Sequence, residues 1–277
     1  MASLSSLQKK KRKGEKITLL TAYDSPMASF IAAAGVDAII VSDAVGTIGN
    51  GKPEAFSVTV DEMIYHTRAV ANGAGNCLVI TTLPFGSYST IDDAVKNATR
   101  VIKEGGAQAV HLEGTRKDGE IIEALVYNGI PVLGHIGVTK QGIARSGYIK
   151  LPGKTAGEAK GLLDDALEME RRGAFALILE CLPDRIGTII TRALDIPTIS
   201  IGSGKGCDGQ ALVTEDMLGI FKAMSPRFLK VYADIEENIT NALGQFRQEV
   251  ETGAFPGPEY SYQIDDKELE KLLSSLG

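Results

Sequence analysis

Ala176-Leu-Ile-Leu-Glu180 is a short apolar run that ends in a carboxylate, and Ala109-Val-His-Leu-Glu113 has the same arrangement earlier in the chain. Similar runs recur from Ile17 onward and alternate with longer stretches of helical periodicity. This alternation is typical of repeated strand-helix units around a parallel sheet, whose strands are apolar because helices cover them. The sequence therefore predicts an α/β fold built on a parallel sheet.

Eight strands and the helices between them can be placed from these patterns. Thr59 and Glu62 form a capping-box pattern that starts one helix, and glycines end several others. The predicted strands are Ile17–Tyr23, Ala38–Ser42, Leu78–Thr82, Ala109–Glu113, Val132–His135, Leu177–Glu180, Thr198–Ile201 and a weaker eighth at Ala211–Thr214. The predicted helices are Ser25–Ala34, Thr59–Asn72, Ile91–Glu104, Gly119–Tyr127, Ala156–Arg172 and Asp184–Ala193.

The whole chain, residues 1–277, is predicted to form one (β/α)8 TIM barrel domain with a C-terminal extension. An open doubly wound sheet is the alternative fold. We favour the barrel because the strand-helix units recur with the same pattern along the chain, and because polar residues gather at one end of each strand. We expect residues 1–15 to be a basic, solvated N-terminal tail. Residues 253–277 should be an extension that ends in a short charged helix and reaches a neighbouring subunit.

The composition favours a protein that binds a small molecule. The 277 residues are 44% hydrophobic, and 35 acidic against 29 basic side chains give a formal net charge of −6. Such a molecule has no electrostatic reason to bind nucleic acid or a membrane, and its apolar runs are far shorter than the roughly 20 residues of a membrane-spanning helix. Three cysteines without framework spacing, and no apolar export segment, indicate a cytoplasmic protein.

Polar residues stand where the predicted strands end, although buried strands have no packing need for carboxylates or imidazoles. The carboxyl ends of the strands all meet at one face of a barrel, which is where barrel enzymes carry their active sites. We therefore expect one site there, formed by Asp43, Thr82, His111, Glu113, His135 and Glu180.

Two carboxylates at this face, Asp43 and Glu113, are candidate ligands of Mg2+, which prefers carboxylate oxygens and keeps several waters. The alternative is a helix-capping Asp43 and a solvated Glu113. Glu180 follows an apolar run that should raise its proton affinity, so we interpret it as a general base. Its alternative role is an ion-pair partner for a nearby Arg or Lys.

The two histidines of the strand ends have open assignments. His135, flanked by glycines, could hold a substrate carboxylate or an enolate oxygen, or it could be a satisfied core histidine. His111 invites both interpretations equally. The glycine-rich stretch at residues 202–209, which contains Ser203, is placed to bind an anionic substrate or cofactor. A second such stretch, residues 46–52, is predicted to be a mobile loop over the site.

Taken together, these segments resemble the ketopantoate hydroxymethyltransferase family of the phosphoenolpyruvate and pyruvate barrel superfamily. The similarity extends over nearly the whole chain, and its order and number make chance a poor explanation. It is carried by residues 21–24, 41–43, 58–67, 83–85, 112–114, 134–139, 179–183, 201–204 and 208–210.

The resemblance implies a specific chemistry. Mg2+ would chelate a 2-oxo acid, a glutamate would remove its C3 proton, and the enolate would take a one-carbon unit from 5,10-methylenetetrahydrofolate. Asp43 matches a metal ligand, Glu113 the acidic residue near the metal, Glu180 the base, and His135 the histidine that contacts the oxo acid. The resemblance also implies a homo-oligomer, a decamer of barrels.

Three positions depart from the family pattern. Thr82 replaces the second metal-ligand aspartate, His111 replaces a substrate-binding lysine, and Ala44 replaces a serine. The predicted substrate-binding set is Asp43, Ala44, Thr82, His111, His135 and Ser203. Because of these departures two other functions stay open. One is a metal-assisted carbon-carbon lyase or aldolase acting on another 2-oxo acid, and the other is a noncatalytic barrel that binds a metabolite or an assembly partner.

Overall fold

The centre of the molecule is a closed barrel of eight parallel strands, in a computed structural model that describes residues 3–52, 54–222 and 226–277. Neighbouring strands pair in chain order, and the last strand pairs back to the first. The strands are β1 Ile17–Thr21, β2 Ala38–Val41, β3 Leu78–Thr82, β4 Ala109–Glu113, β5 Val132–Gly137, β6 Ala176–Glu180, β7 Thr198–Ile201 and β8 Gly209–Leu212. The predicted TIM barrel is confirmed, and the open sheet is wrong.

Helices follow the strands as predicted, and the structure adds further helices of four to 18 residues. Thr59 and Glu62 do form the capping box at the start of the second predicted helix. The eighth strand begins two residues before its predicted range. The helices are α1 Leu4–Lys13, α2 Ser25–Ala33, α3 Val45–Ile48, α4 Val60–Gly73, α5 Ile91–Gly105, α6 Gly119–Tyr127, α7 Lys140–Ser146, α8 Ala156–Arg171, α9 Asp184–Ala193, α10 Thr214–Met217, α11 Ile235–Thr252 and α12 Asp266–Leu276.

The N-terminal segment is ordered, which corrects the expectation of a solvated tail over residues 1–15. Its residues 4–13 form α1, and Leu7 is only 2% exposed because it packs with apolar residues of the barrel strands. Lys10 pairs with Asp37 at 2.6 Å, and Lys11 pairs with Asp208 at 2.9 Å. The basic cluster therefore attaches α1 to the barrel. Met1 and Ala2 lie outside the described residues.

Two apolar layers hold the barrel together. One cluster, which includes Ile40, Ile80 and Ile178, joins alternate residues of the strands with Leu7. The residues between them along the strands, such as Leu112 and Leu179, pack instead against the surrounding helices. This alternation follows the two-residue period of a strand. It leaves the end of the strands opposite α1 for the polar residues.

The C-terminal region lies outside the barrel. Helices α11 and α12 bury none of their residues, and the charged helix expected near the end of the extension is present as α12. An exposed apolar stripe runs along α11, formed by Ile239, Leu243, Phe246 and Val250. Among the helices of the described residues, none has both the length and the apolar content that crossing a bilayer requires.

Candidate active site

The strand register explains why the predicted polar residues meet. His111 and Glu113 are two residues apart on β4 and therefore face the same side of the sheet. On one neighbouring strand Thr82 lies opposite His111, and on the other His135 lies opposite Glu113. The structure thus brings these four residues to one end of the barrel. Three of them, His111, Glu113 and His135, line a cavity of about 270 Å³ together with Ala44, Lys140 and Glu180.

A chain of hydrogen bonds joins three neighbouring strands behind this cavity. The Thr82 hydroxyl lies 2.9 Å from His111 Nδ1, and His111 Nε2 lies 3.1 Å from His135 Nδ1. Burial, reinforced by the charges of His135 and Lys140, holds the pKa of His111 well below its usual range. A neutral imidazole donates through one nitrogen and accepts through the other. His111 therefore links the direction of the Thr82 hydrogen bond to the direction of the hydrogen bond with His135.

His135 and Glu180 face each other at the cavity wall. His135 Nε2 lies 3.1 Å from Glu180 Oε2, yet the approach does not have hydrogen-bond geometry, and this nitrogen has no hydrogen-bond partner among the described residues. The Glu180 side chain is 27% exposed, whereas that of His135 is 5% exposed. A buried imidazole nitrogen and a carboxylate are therefore both available to a bound molecule.

The carboxylates predicted to hold a metal instead contact a lysine. The Lys140 ammonium contacts Asp43 Oδ1 and lies 3.6 Å from Glu113 Oε1. The backbone N–H of Lys140 also donates to Glu113 Oε2 at 2.7 Å. Desolvation lowers the pKa of Lys140, but the charges of Asp43 and Glu113 outweigh it and leave that pKa above its usual value. The three side chains form an ionic cluster whose two carboxylates are buried.

This arrangement does not fit the Mg2+ site that the sequence predicts. Two carboxylates can suffice for Mg2+, which takes its remaining ligands from substrate and water. The obstacle is the ammonium of Lys140, because a divalent cation between Asp43 and Glu113 would be repelled by it at contact distance. Thr82 stands where the family pattern has a second metal-ligand aspartate, and its hydroxyl is hydrogen-bonded to His111. Within the described residues no group of three or more His, Cys, Asp or Glu is arranged to hold a metal.

Asp43 lies behind Lys140 as seen from the cavity. It lines a separate small space together with Thr82, Tyr88 and Glu113, and Lys140 borders both this space and the main cavity. Ala44 follows Asp43 and lines the main cavity with its methyl group. Of the predicted substrate-binding residues, Ala44, His111 and His135 thus face the main cavity, whereas Asp43 and Thr82 do not.

Ser203 is not brought to the cavity, which corrects its predicted role in binding substrate. Its hydroxyl donates to Leu179 O at 2.8 Å and accepts from Leu182 N at 2.9 Å, so it joins the segments that follow β6 and β7. Its glycine neighbours Gly202 and Gly204 line a second, larger cavity of about 760 Å³. The glycine-rich stretch therefore contributes backbone to the second cavity, not a hydroxyl to the first.

Gly137 positions the β6 carboxylate through a close backbone approach. Its φ of 111° lies where L side chains are disfavoured, and a Cβ there would meet Glu180 O at 2.1 Å. The next residue, Val138, donates its N–H to the same oxygen at 3.0 Å. Only glycine allows β5 and β6 to approach this closely at the site.

Sequence reasoning missed Lys140. It is the third residue after β5 and the first of α7, where the hydroxyl of Thr139 caps the helix by accepting from Gly142 N. The available signal was a cationic residue within three positions of the end of the strand that carries His135. Tyr88 was also missed, and its hydroxyl donates to Glu113 O at 3.2 Å.

A closed parallel barrel with an acid-imidazole-ammonium cluster at the carboxyl ends of its strands defines a (β/α)8 barrel enzyme. The family model described as ketopantoate hydroxymethyltransferase matches residues 2–258. The chain is 47% identical to the 3-methyl-2-oxobutanoate hydroxymethyltransferase of Clostridium novyi (strain NT), over 98% of both chains. It is 46% identical to that of Enterococcus faecalis (strain ATCC 700802 / V583), over 96% of this chain and 98% of the relative. The chain belongs to the ketopantoate hydroxymethyltransferase family.

Solved structures of more distant proteins share the fold. Phosphonopyruvate hydrolase, in a complex with oxalate and Mg++, is 12% identical with a TM-score of 0.62, covering 100% of this chain and 96% of the other. A 2,3-dimethylmalate lyase of the phosphoenolpyruvate mutase and isocitrate lyase superfamily is 14% identical with a TM-score of 0.57, covering 100% of both. These similarities concern the fold alone.

Proposed function

We propose that the protein transfers a hydroxymethyl group from 5,10-methylenetetrahydrofolate to 3-methyl-2-oxobutanoate, which yields ketopantoate. The observation that carries this proposal is the unpartnered, buried Nε2 of His135, which lies 3.1 Å from the Glu180 carboxylate at the wall of a 270 Å³ cavity. A base and a hydrogen-bonding imidazole at that spacing suit a small oxo acid that must lose a proton beside its carbonyl.

The first step uses Glu180 as the base. Its carboxylate takes the C3 proton, the electrons of that C–H bond form the C2–C3 double bond, and the carbonyl electron pair moves to oxygen. In one tautomer the Thr82 hydroxyl donates to His111 Nδ1, and His111 Nε2 donates to His135 Nδ1. The proton of a neutral His135 is then on Nε2, and this N–H can donate to the enolate oxygen. The described residues do not fit Mg2+, so no step here depends on it.

The second step forms the new carbon-carbon bond. Water adds to the methylene carbon and both of its C–N bonds break, so that the two water protons pass to the nitrogens of the departing tetrahydrofolate and the carbon is left as formaldehyde. The enolate carbon then attacks this carbon, its C=O electron pair moves to oxygen, and that oxygen takes the proton held by Glu180. The 760 Å³ cavity suits the folate donor because it shares Glu180 and Phe228 with the first cavity. Its wall also carries Lys154 and Arg227, whose charges complement the glutamate carboxylates of a folate.

The test is proton exchange followed by transfer. The protein is incubated with 3-methyl-2-oxobutanoate and Mg2+ in deuterated water, with and without 5,10-methylenetetrahydrofolate, and NMR follows the C3 signal and the product. We expect C3 exchange in both samples and ketopantoate in the complete one. Exchange without transfer would favour a carbon-carbon lyase or aldolase. Exchange of other 2-oxo acids alone would reject 3-methyl-2-oxobutanoate as the substrate.

The assignment of the base has its own variant. Glu180→Gln keeps the size of the side chain but removes the base, so C3 exchange should fall by about 10²–10⁴-fold. Circular dichroism should match that of the parent protein. Exchange at the parental rate would refute the role of Glu180.

We also propose that the protein is cytoplasmic, as its three cysteines without framework spacing indicate, and that it assembles as a homo-oligomer, a decamer of barrels, as the family resemblance implies. The exposed apolar stripe of α11 supports assembly, because side chains such as Leu243 and Phe246 are 64% and 55% exposed in the single chain. Contact with another copy of the chain would remove this apolar surface from water.

A further inference from the structure

We propose that the Lys140 ammonium, rather than a bound divalent cation, is the positive charge that polarises the oxo acid in this protein. The inference rests on the proposed function and concerns how the same site stabilises the enolate. It begins from the position of Lys140, the one Lys or Arg side chain among the described residues that line the main cavity.

The ammonium has the geometry that this role requires. It carries three N–H donors. Asp43 accepts from one of them, and Glu113 Oε1 lies 3.6 Å from the nitrogen as an ion-pair partner. Both carboxylates are buried, with side chains 3% and 7% exposed. The Lys140 side chain is 26% exposed and borders the cavity, so a donor remains for a substrate oxygen.

The cluster is held in place by the backbone as well as by charge. Lys140 is the first residue of α7, and its own N–H fixes the Glu113 carboxylate at 2.7 Å. Tyr88 anchors the backbone of Glu113 and accepts from Gln141 Nε2 at 2.7 Å. A cation that is already oriented needs no reorganisation when negative charge develops on the enolate oxygen.

The same contacts exclude a competing cation. Asp43, one of the two predicted metal ligands, lies behind Lys140 and does not line the main cavity. A divalent ion could reach both carboxylates only if the ammonium moved away. Removing Lys140 should therefore create a metal site where the parent protein has a lysine.

The experiment measures C3 exchange of 3-methyl-2-oxobutanoate in deuterated water, with EDTA or with Mg2+, for the parent protein, Lys140→Ala and Lys117→Ala. Lys117 is exposed in the turn before α6 and controls for the loss of one charge. We expect the parent and Lys117→Ala to exchange equally in both solutions. Lys140→Ala should lose on the order of 10²–10³-fold in EDTA and recover at least about 10-fold with Mg2+.

A second readout is independent of activity. Electron paramagnetic resonance with Mn2+ alone should show one bound ion in Lys140→Ala and none in the parent. Parent exchange that EDTA abolishes and Mg2+ restores would overturn the inference, as would stoichiometric Mn2+ binding by the parent. These measurements on the parent decide the matter even if Lys140→Ala does not fold.

Two further outcomes separate the inference from the proposed function. If the parent protein exchanges in neither solution, the proposed function is wrong. In that case, binding of one Mn2+ by both the parent and Lys140→Ala would still show that Lys140 does not exclude a metal. Borohydride reduction with the oxo acid should leave the mass of the parent unchanged. A mass increase at Lys140 would overturn the electrostatic role, because the lysine would then have formed an imine.

Discussion

Gly137→Ala should damage both stability and proton abstraction, because the added methyl group meets backbone and not a flexible side chain. The new Cβ would lie 2.1 Å from Glu180 O, far inside van der Waals contact. The strands must then separate locally by about 1 Å, a displacement that can cost about 10²-fold in rate when it misplaces a catalytic group. The φ of 111° adds roughly 1–3 kcal/mol of backbone strain.

The matched control is Gly129→Ala. Gly129 also has a positive φ, 75°, but no atom lies within 4 Å of the added Cβ. Its cost is therefore backbone strain alone, about 1–2 kcal/mol. With roughly 2–4 °C of Tm per kcal/mol in a chain of this size, we expect a fall of about 5 °C for Gly129→Ala and about 10 °C for Gly137→Ala.

The assay combines thermal unfolding followed by circular dichroism with C3 exchange by NMR. Gly129→Ala should exchange at the parental rate, whereas Gly137→Ala should exchange about 100-fold more slowly. Equal Tm values for the two variants, with parental exchange in Gly137→Ala, would show that the close approach of β5 and β6 does not position Glu180.

Three further predictions concern other parts of the molecule. Leu7→Ala should lower stability by about 2–5 kcal/mol, measured by urea unfolding, while Lys9→Ala on the exposed face of α1 should change it little; equal losses would argue against the burial of α1. Burial, with a smaller contribution from Asp216, raises the pKa of Glu215 to about 7. Between pH 4.5 and 7 the folded protein therefore keeps a proton that the unfolded chain loses. The free energy of unfolding should fall by up to roughly 3 kcal/mol as the pH rises through this range. Glu215→Gln should flatten that dependence in urea unfolding, and an unchanged slope would contradict the assignment. Leu243→Glu combined with Phe246→Glu should reduce the assembly mass in light scattering with circular dichroism unchanged, and an unaltered mass would rule out the α11 stripe as a contact.

The barrel was predictable because its evidence is local and repeated. Each strand is a short apolar run of the kind seen in Ala176–Glu180, and the caps and glycines that bound the helices act within a few residues. The weak pattern at β8 led to a range two residues late, since Gly209 and Gln210 carry no strand signal of their own. Helix α1 was missed because its basic residues outnumber its apolar ones, and only the barrel gives them partners.

The candidate site was partly predictable for the same reason. His111, Glu113, His135 and Glu180 lie within two residues of the carboxyl ends of their strands, so the fold alone brings them together. The partners of each group depend on contacts between distant segments, which no local pattern reveals. Lys140 contacts Asp43 across 97 positions of the chain, and Thr82 bonds to His111, so two departures from the family pattern are joined by one hydrogen bond.

The attachment of α1 has a consequence for how the protein is made. Lys10 and Lys11 pair with Asp37 near β2 and with Asp208 just before β8, so α1 connects the two ends of the strand series. At 5–20 residues per second, roughly 10–40 s of synthesis separate α1 from its last partner. Until β8 leaves the ribosome, the edge of β1 that pairs with β8 in the finished barrel has no partner. A nascent chain that stops earlier cannot close the barrel, and this edge of β1 stays unpaired.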